Sequence, residues 1–267
     1  MSSEPRAIGS SLQDVDLAAI TTRQKQKLLR PLYQQRLIVL KNQQLSDQHF
    51  VDFSRVVGRP EAYLQDCARH PLFPLIAVSS HSSDAAVPGD TTINANTWQS
   101  ASSFEAEPKG VTMLMPRVLP EGGARTISFI DMAEVYAALP QATKDRLAGL
   151  RFVHSCGATS VTHPAVVVHP VSGEKILFVN RRFTTGVAGC PAGEGDGLLG
   201  ELLDFAESAK FVRELRLEIG DIVIWDNRLL ASKSAAAGDG DTQAPVLLRV
   251  TVRDNFVQAA NPMALAA

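Results

Sequence analysis

The stretch AVVVHPVSGEKILFVN, residues 165–180, decides the fold class. Two runs rich in β-branched and large apolar residues, AVVVH (165–169) and ILFVN (176–180), flank a turn-rich interval at 170–173. The runs are short, and the Pro and Gly between them interrupt a helix, so the pattern predicts a β-hairpin. Segments of the same kind extend outward in both directions. They are LIAVSS (75–80), VTMLMPRV (111–118), TISFI (126–130), RFVHS (151–155), IVIWD (222–226) and VLLRVTVRD (246–254). Turn signals such as the Gly-Gly pair at 122–123 and Gly-Asp at 220–221 separate them.

Helical periodicity is confined to fewer places. Residues 16–35 favour helix, with Leu28, Leu29 and Leu32 on one side, and LIVLKN (37–42) follows as a buried strand. In SDQHFVDFSRVVG (46–58), Phe50, Phe53, Val56 and Val57 recur at helical spacing, Ser46 is an N-cap and Gly58 a stop. Two more helices are predicted around 132–150, interrupted near Pro140, and over 198–210. Residues 186–197 and 232–245, rich in Gly and small residues, read as mobile stretches and not as domain linkers, because β segments continue beyond them. This order predicts a mainly β fold with flanking helices, a double-stranded β-helix (jelly roll). The expected organisation is a flexible arm over 1–14, one domain over 15–257 and a tail over 258–267.

Composition narrows the functional classes. A net charge of −2 gives no electrostatic reason to expect nucleic acid or an anionic membrane as partner. The three cysteines, Cys67, Cys156 and Cys190, form no CxxC, which argues against a disulfide framework or a cysteine zinc site and suits a reducing cytoplasm. The N-terminal residues lack a signal-peptide core, and no apolar run reaches the roughly 18 to 20 residues that span a bilayer. The expected location is cytoplasmic.

The order of short motifs carries a resemblance. LIVLKNQQLSDQHFVDFSRVVGRP, NTWQSASSFEAEPKGVTMLMPRVLPEGG, DMAEVYAALP, HPAVVVHPVSGEKILFVNRRFTT, GDIVIWDNR and LLRVTVRDN succeed one another from about residue 35 to 257. In that order they resemble the TauD/TfdA family of iron(II)/2-oxoglutarate dioxygenases, with its clavaminate synthase/TauD-like jelly roll. The resemblance implies an active site in the mouth between two sheets and iron held by two histidines and a carboxylate. The family's first two ligands lie in a Trp-His-x-Asp segment, which here reads Trp98-Gln99-Ser100-Ala101. Its distal histidine follows the tryptophan of the WDNR segment by seven residues, which leads from Trp225 to Ser232. Gln99, Ala101 and Ser232 therefore occupy the three ligand positions. None of His49, His70, His81, His154, His163 and His169 begins a His-x-Asp or His-x-Glu.

The co-substrate positions are also altered. The family uses an arginine on the last strand for the distal carboxylate of 2-oxoglutarate, and often a second one four residues later for an anionic substrate. One register places Arg249 second and Pro245 first; another uses Arg249 and Arg253. Thr126 is the counterpart of a threonine that touches the 2-oxoglutarate site. Trp98, Phe183 and Trp225 are candidate pocket walls, although aromatic residues there equally read as core. Arg249 interrupts an apolar strand, which favours an anion anchor over an ion pair with Asp226 or Asp254. Arg181 and Arg182 read as surface charges, and His154, His163 and His169 as structural histidines.

From these residues neither iron nor 2-oxoglutarate is expected to bind in the family manner, so no cofactor is expected. The leading expectation is a metal-independent, non-oxidative enzyme of lyase, isomerase, cyclisation or condensation type, plausibly biosynthetic. It would act on a small anionic molecule through Gln99, Ser232 and Arg249. A non-catalytic pseudo-oxygenase subunit paired with an active homologue, or a homo-oligomer, stays open. So does a genuine oxygenase with an unorthodox metal site.

Overall fold

The computed structural model describes residues 8–13, 15–62, 70–80, 97–119, 126–191, 195–234 and 245–254. The glycine pair at 122–123, the tail and most of the 232–245 stretch lie outside them. The principal sheet runs in the order Ser10–Leu12, Leu37–Leu40, Ile222–Asp226, Val111–Val118, Val246–Asp254, Gly58–Glu61, and Ala77–Ser80 also pairs with Val246–Asp254. Three smaller sheets complete the jelly roll. One centres Thr126–Asp131 between Val212–Arg216 and Leu230–Ser234, and one centres Arg151–Cys156 between Thr184–Val187 and Thr159–Pro164. The third is the expected hairpin, Val166–Val168 against Lys175–Leu177, with Gly173 at φ 72° in its turn, a backbone region glycine adopts without penalty.

Period-2 alternation sends the apolar side chains of the central strands into two clusters, one on each face of the principal sheet. Leu37, Val39, Leu114, Val223, Trp225 and Leu247 join Phe129, Ile127 and Trp98 in the core between the sheets. Their neighbours Ile38, Leu40, Met113, Met115, Ile222, Ile224, Leu248, Val250 and Val252 pack the opposite face against Phe50, Phe53 and Val57. Those last three lie on the helix Asp47–Val57, where the Ser46 side chain accepts from the His49 N–H as the expected cap. At its other end Gly58 is required by close approach, because a Cβ there would sit 2.1 Å from the Arg253 carbonyl oxygen.

Helical expectations hold in outline and change in detail. The 16–35 helix is reduced to Thr22–Leu29 and Leu32–Gln35, split at Pro31, which lacks the N–H that would continue the ladder. The 132–150 pair becomes Met132–Ala138 and Gln141–Leu147 on either side of Pro140. Helix Asp196–Ala206 followed by the 3-10 turn Ala209–Phe211 covers the 198–210 expectation. Within the stretch expected as a loose arm, Ser10–Leu12 runs parallel to Leu37–Leu40. Among the described residues no helix is long and apolar enough to cross a membrane.

Candidate functional site

A buried charge cluster fixes the strands that carry the site. Asp226, fully buried, accepts from His169 Nε2 at 2.9 Å and from Arg228 at 2.9 and 2.7 Å, and Arg228 also reaches Asp254 at 2.7 Å. Burial alone would raise the Asp226 carboxyl, but Arg228 and His169 hold it well below the usual carboxylate range. The cluster ties the ends of Ile222–Asp226 and Val246–Asp254 to the 166–177 hairpin, and so pins the register that places Arg249. Beside it, Thr112 Oγ1 donates to Asn227 Oδ1 at 2.8 Å, and Asn227 Nδ2 donates to the Lys109 carbonyl at 3.0 Å.

The pocket lies between the sheets. Gln99, Leu114, Ile127, Trp225, Ser232, Ser234, Leu247 and Arg249 line it. Leu114 stands opposite Arg249 in the strand register, and Ile127 opposite Ser234. Gln99 and Ser232 form a backbone bridge of their own: the Gln99 N–H donates to the Ser232 carbonyl at 3.0 Å, and the Ser232 N–H to the Gln99 carbonyl at 2.8 Å. Two positions 133 residues apart, both singled out as ligand positions, are thereby held side by side. Arg249 is only 4% exposed, with Nη2 3.5 Å from Thr112 Oγ1.

Of the expected site residues, Gln99, Trp225, Ser232 and Arg249 come together in this pocket. Ala101 is buried nearby in chain, and Trp98 is buried in the core with the Lys233 ammonium 4.8 Å from its ring centre. Thr126 opens its strand opposite Arg216 and is not part of the lining. Phe183 packs against Phe104 at 4.8 Å between ring centres. Arg253 shares the strand face of Arg249, but four residues farther along, about 13 Å in a strand, it pairs with Glu61 at 2.7 Å and Glu105 at 3.4 Å. Asp226 and Asp254 pair with Arg228, not with Arg249. Arg181 is a surface charge paired with Asp204 and Glu207. Leu114, Ile127, Ser234 and Leu247 went unread; Ser234 and Leu247 stand two residues from Ser232 and Arg249, the strand period that would have found them.

Behind the pocket segment lies a second polar group. His154, fully buried, is hydrogen-bonded through Nδ1 with Ser103 Oγ at 3.2 Å, and Asn180 Nδ2 donates to the same hydroxyl at 2.9 Å. The His163 ring stands edge-on to His154 at 5.3 Å. Burial, with the neighbouring His163, pushes His154 down to about 3. Among the described residues, no three His, Cys, Asp or Glu gather into a group that could hold a metal ion.

The jelly roll is the fold of the taurine dioxygenase-like proteins among solved structures. A taurine dioxygenase from Burkholderia xenovorans superposes with a TM-score of 0.81 at 23% identity, covering 94% of this chain and 88% of that one. The chain belongs to the family described as taurine catabolism dioxygenase TauD, TfdA family, whose model matches residues 2–251. The alpha-ketoglutarate-dependent 2,4-dichlorophenoxyacetate dioxygenase of Cupriavidus pinatubonensis is 30% identical over 248 residues, 82% of this chain and 86% of that protein. The structure of AAD-2 in complex with Mn(II) and N-oxalylglycine superposes with a TM-score of 0.80 at 21% identity, covering 94% of this chain and 96% of that one.

These relatives correct two expectations. The metal-independent, non-oxidative reading, with its pseudo-oxygenase and biosynthetic variants, is overturned by relatives named as alpha-ketoglutarate-dependent dioxygenases. The expectation of no cofactor is overturned by the same names, beside a structural neighbour, AAD-2, solved in complex with Mn(II) and N-oxalylglycine. A likeness that runs over 82% of the chain outweighs three side chains at ligand positions. The residues of this chain fit the two groups unequally. Arg249 in an apolar-walled pocket suits a carboxylate. Gln99, Ala101 and Ser232 are an amide, a methyl and a hydroxyl, a donor set that does not fit a two-histidine, one-carboxylate metal centre.

Proposed function

We propose that the pocket binds a small organic acid of the alpha-ketoglutarate class by its carboxylate, within the dioxygenase chemistry of the relatives. The observation that carries this reading is Arg249. It lines a pocket walled by Leu114, Ile127, Trp225 and Leu247 and is itself almost wholly buried. A guanidinium that lines an apolar-walled pocket can meet a carboxylate through two parallel charge-assisted hydrogen bonds. The pocket side chains bind and orient the acid, the sheet walls exclude water around its chain, and Thr112 steadies one end of the guanidinium.

The test is calorimetric titration of the purified chain with 2-oxoglutarate, beside the Arg249→Met variant. The expected result is saturable binding by the parent, weakened on the order of 30-fold or more in the variant, as for loss of one partner of a buried charge pair. Equal affinity in both proteins would refute the carboxylate role of Arg249.

A further inference from the structure

We infer that Asn180 is a positioning residue: through the Ser103 hydroxyl it holds segment 98–105 in the conformation that brings Gln99 to the pocket wall. This rests on the reading that the pocket binds an organic acid at Arg249. Asn180 is buried and lies outside the pocket lining, so it acts on a ligand only through other residues.

Both ends of its side chain are committed. Oδ1 accepts from the Phe183 N–H at 3.0 Å, and the Asn180 N–H donates to Thr184 Oγ1 at 3.0 Å, which closes the turn 180–184. Nδ2 leaves that turn and donates to Ser103 Oγ at 2.9 Å. The same turn reaches the segment a second time, where the Arg182 N–H donates to the Trp98 carbonyl at 3.1 Å. These two contacts bracket residues 99–102, while Gln99 is bridged to Ser232. Within the bracket Ser102 has φ 60°, a left-handed conformation that a residue with a Cβ adopts at a cost and keeps only where its surroundings impose it. The segment's own bonds are short in range: the Ser103 N–H donates to the Ser100 carbonyl at 3.2 Å, and the Glu105 N–H to the Ser102 carbonyl at 2.9 Å. The turn 180–184 supplies the constraint from elsewhere in the chain. Ser103 is wholly buried, so water replaces the Asn180 donor only if the segment opens.

The experiment joins hydrogen–deuterium exchange with calorimetric titration by 2-oxoglutarate, on the full chain and on Asn180→Ala and Ser103→Ala. The second variant breaks the same contact from its other side and serves alone should the first fold poorly. In both, the amides of Gln99, Ser103 and Glu105 are expected to exchange about 10-fold faster, while those of Val111–Val118 keep the parent's rates. Binding of 2-oxoglutarate is expected to weaken about 3- to 10-fold. The double variant is expected to bind no more weakly than the weaker single one, because both substitutions remove one shared contact. Asn180 acting on global stability alone would speed exchange in the strands as well. That pattern, unchanged exchange at the three amides, or local loosening with unchanged affinity overturns the inference and leaves Arg249 standing. A parent that does not bind 2-oxoglutarate sinks the carboxylate reading and this inference with it.

Discussion

Acid should destabilise this fold through His154, by an amount that follows from its burial. The ring is wholly buried, stacked on Phe178 at 5.2 Å between ring centres, and set edge-on to His163. Its folded-state value of about 3 lies below the ordinary 6.5, so the unfolded chain binds a proton over a range where the folded chain does not. The stability it contributes is complete above 6.5 and is lost as the pH falls from there toward 3, at roughly 1.4 kcal/mol per unit. Between pH 7 and pH 5 the loss is about 2 kcal/mol. His163, also lowered by burial, adds in the same direction. The assay is urea unfolding at both pH values for the parent and for His154→Asn. The variant starts less stable, because it loses the Phe178 stack, but its pH dependence should be shallower by about 2 kcal/mol over that interval. Equal pH dependence in the two proteins would refute the reasoning. Because Ser103, bound by His154 and Asn180, lies four residues beyond Gln99, the same acid step should loosen the pocket segment.

Two further stability predictions separate the charge cluster from the helix cap. Arg228→Met leaves the fully buried Asp226 carboxylate with His169 and the backbone N–H of residue 228 but no cationic partner of fixed charge, and should cost about 3–5 kcal/mol in denaturant unfolding; a change under about 1 kcal/mol would mean that the cluster is not what pins these strands. Ser46→Ala removes the acceptor of the His49 N–H and should cost about 1 kcal/mol, with no effect on ligand affinity, since the cap is remote from the pocket lining.

The strands that were legible in the sequence are those with a core on both faces. Val111–Val118 and Val246–Asp254 were read to the residue, because their apolar side chains enter two clusters, one on each face of the sheet. Two of the strands left unread are half-exposed and polar. Thr159–Pro164 is an edge strand rich in Thr, Ser and His, and Val212–Arg216 carries three charged residues in five. Such segments pair because the neighbouring strand presents a free edge, a tertiary cause that leaves a weak mark on local composition.

The pocket divides along the same line. Arg249 was legible because an arginine inside an apolar strand has a cost that its own neighbours reveal. Leu114 and Ile127 were not, because they belong to the pocket only through the register of their strands against Val246–Asp254 and Leu230–Ser234. Arg253 shows the converse failure. Its parity is that of Arg249, and spacing along one strand predicts a shared face, yet the glutamates that hold it come from other parts of the chain. Face follows from spacing along a strand, but which end of the barrel a residue serves is settled by partners far away in sequence. For a family member whose ligand positions carry unusual side chains, substrate binding is therefore better sought in what surrounds Arg249 in space than in motif positions taken one at a time.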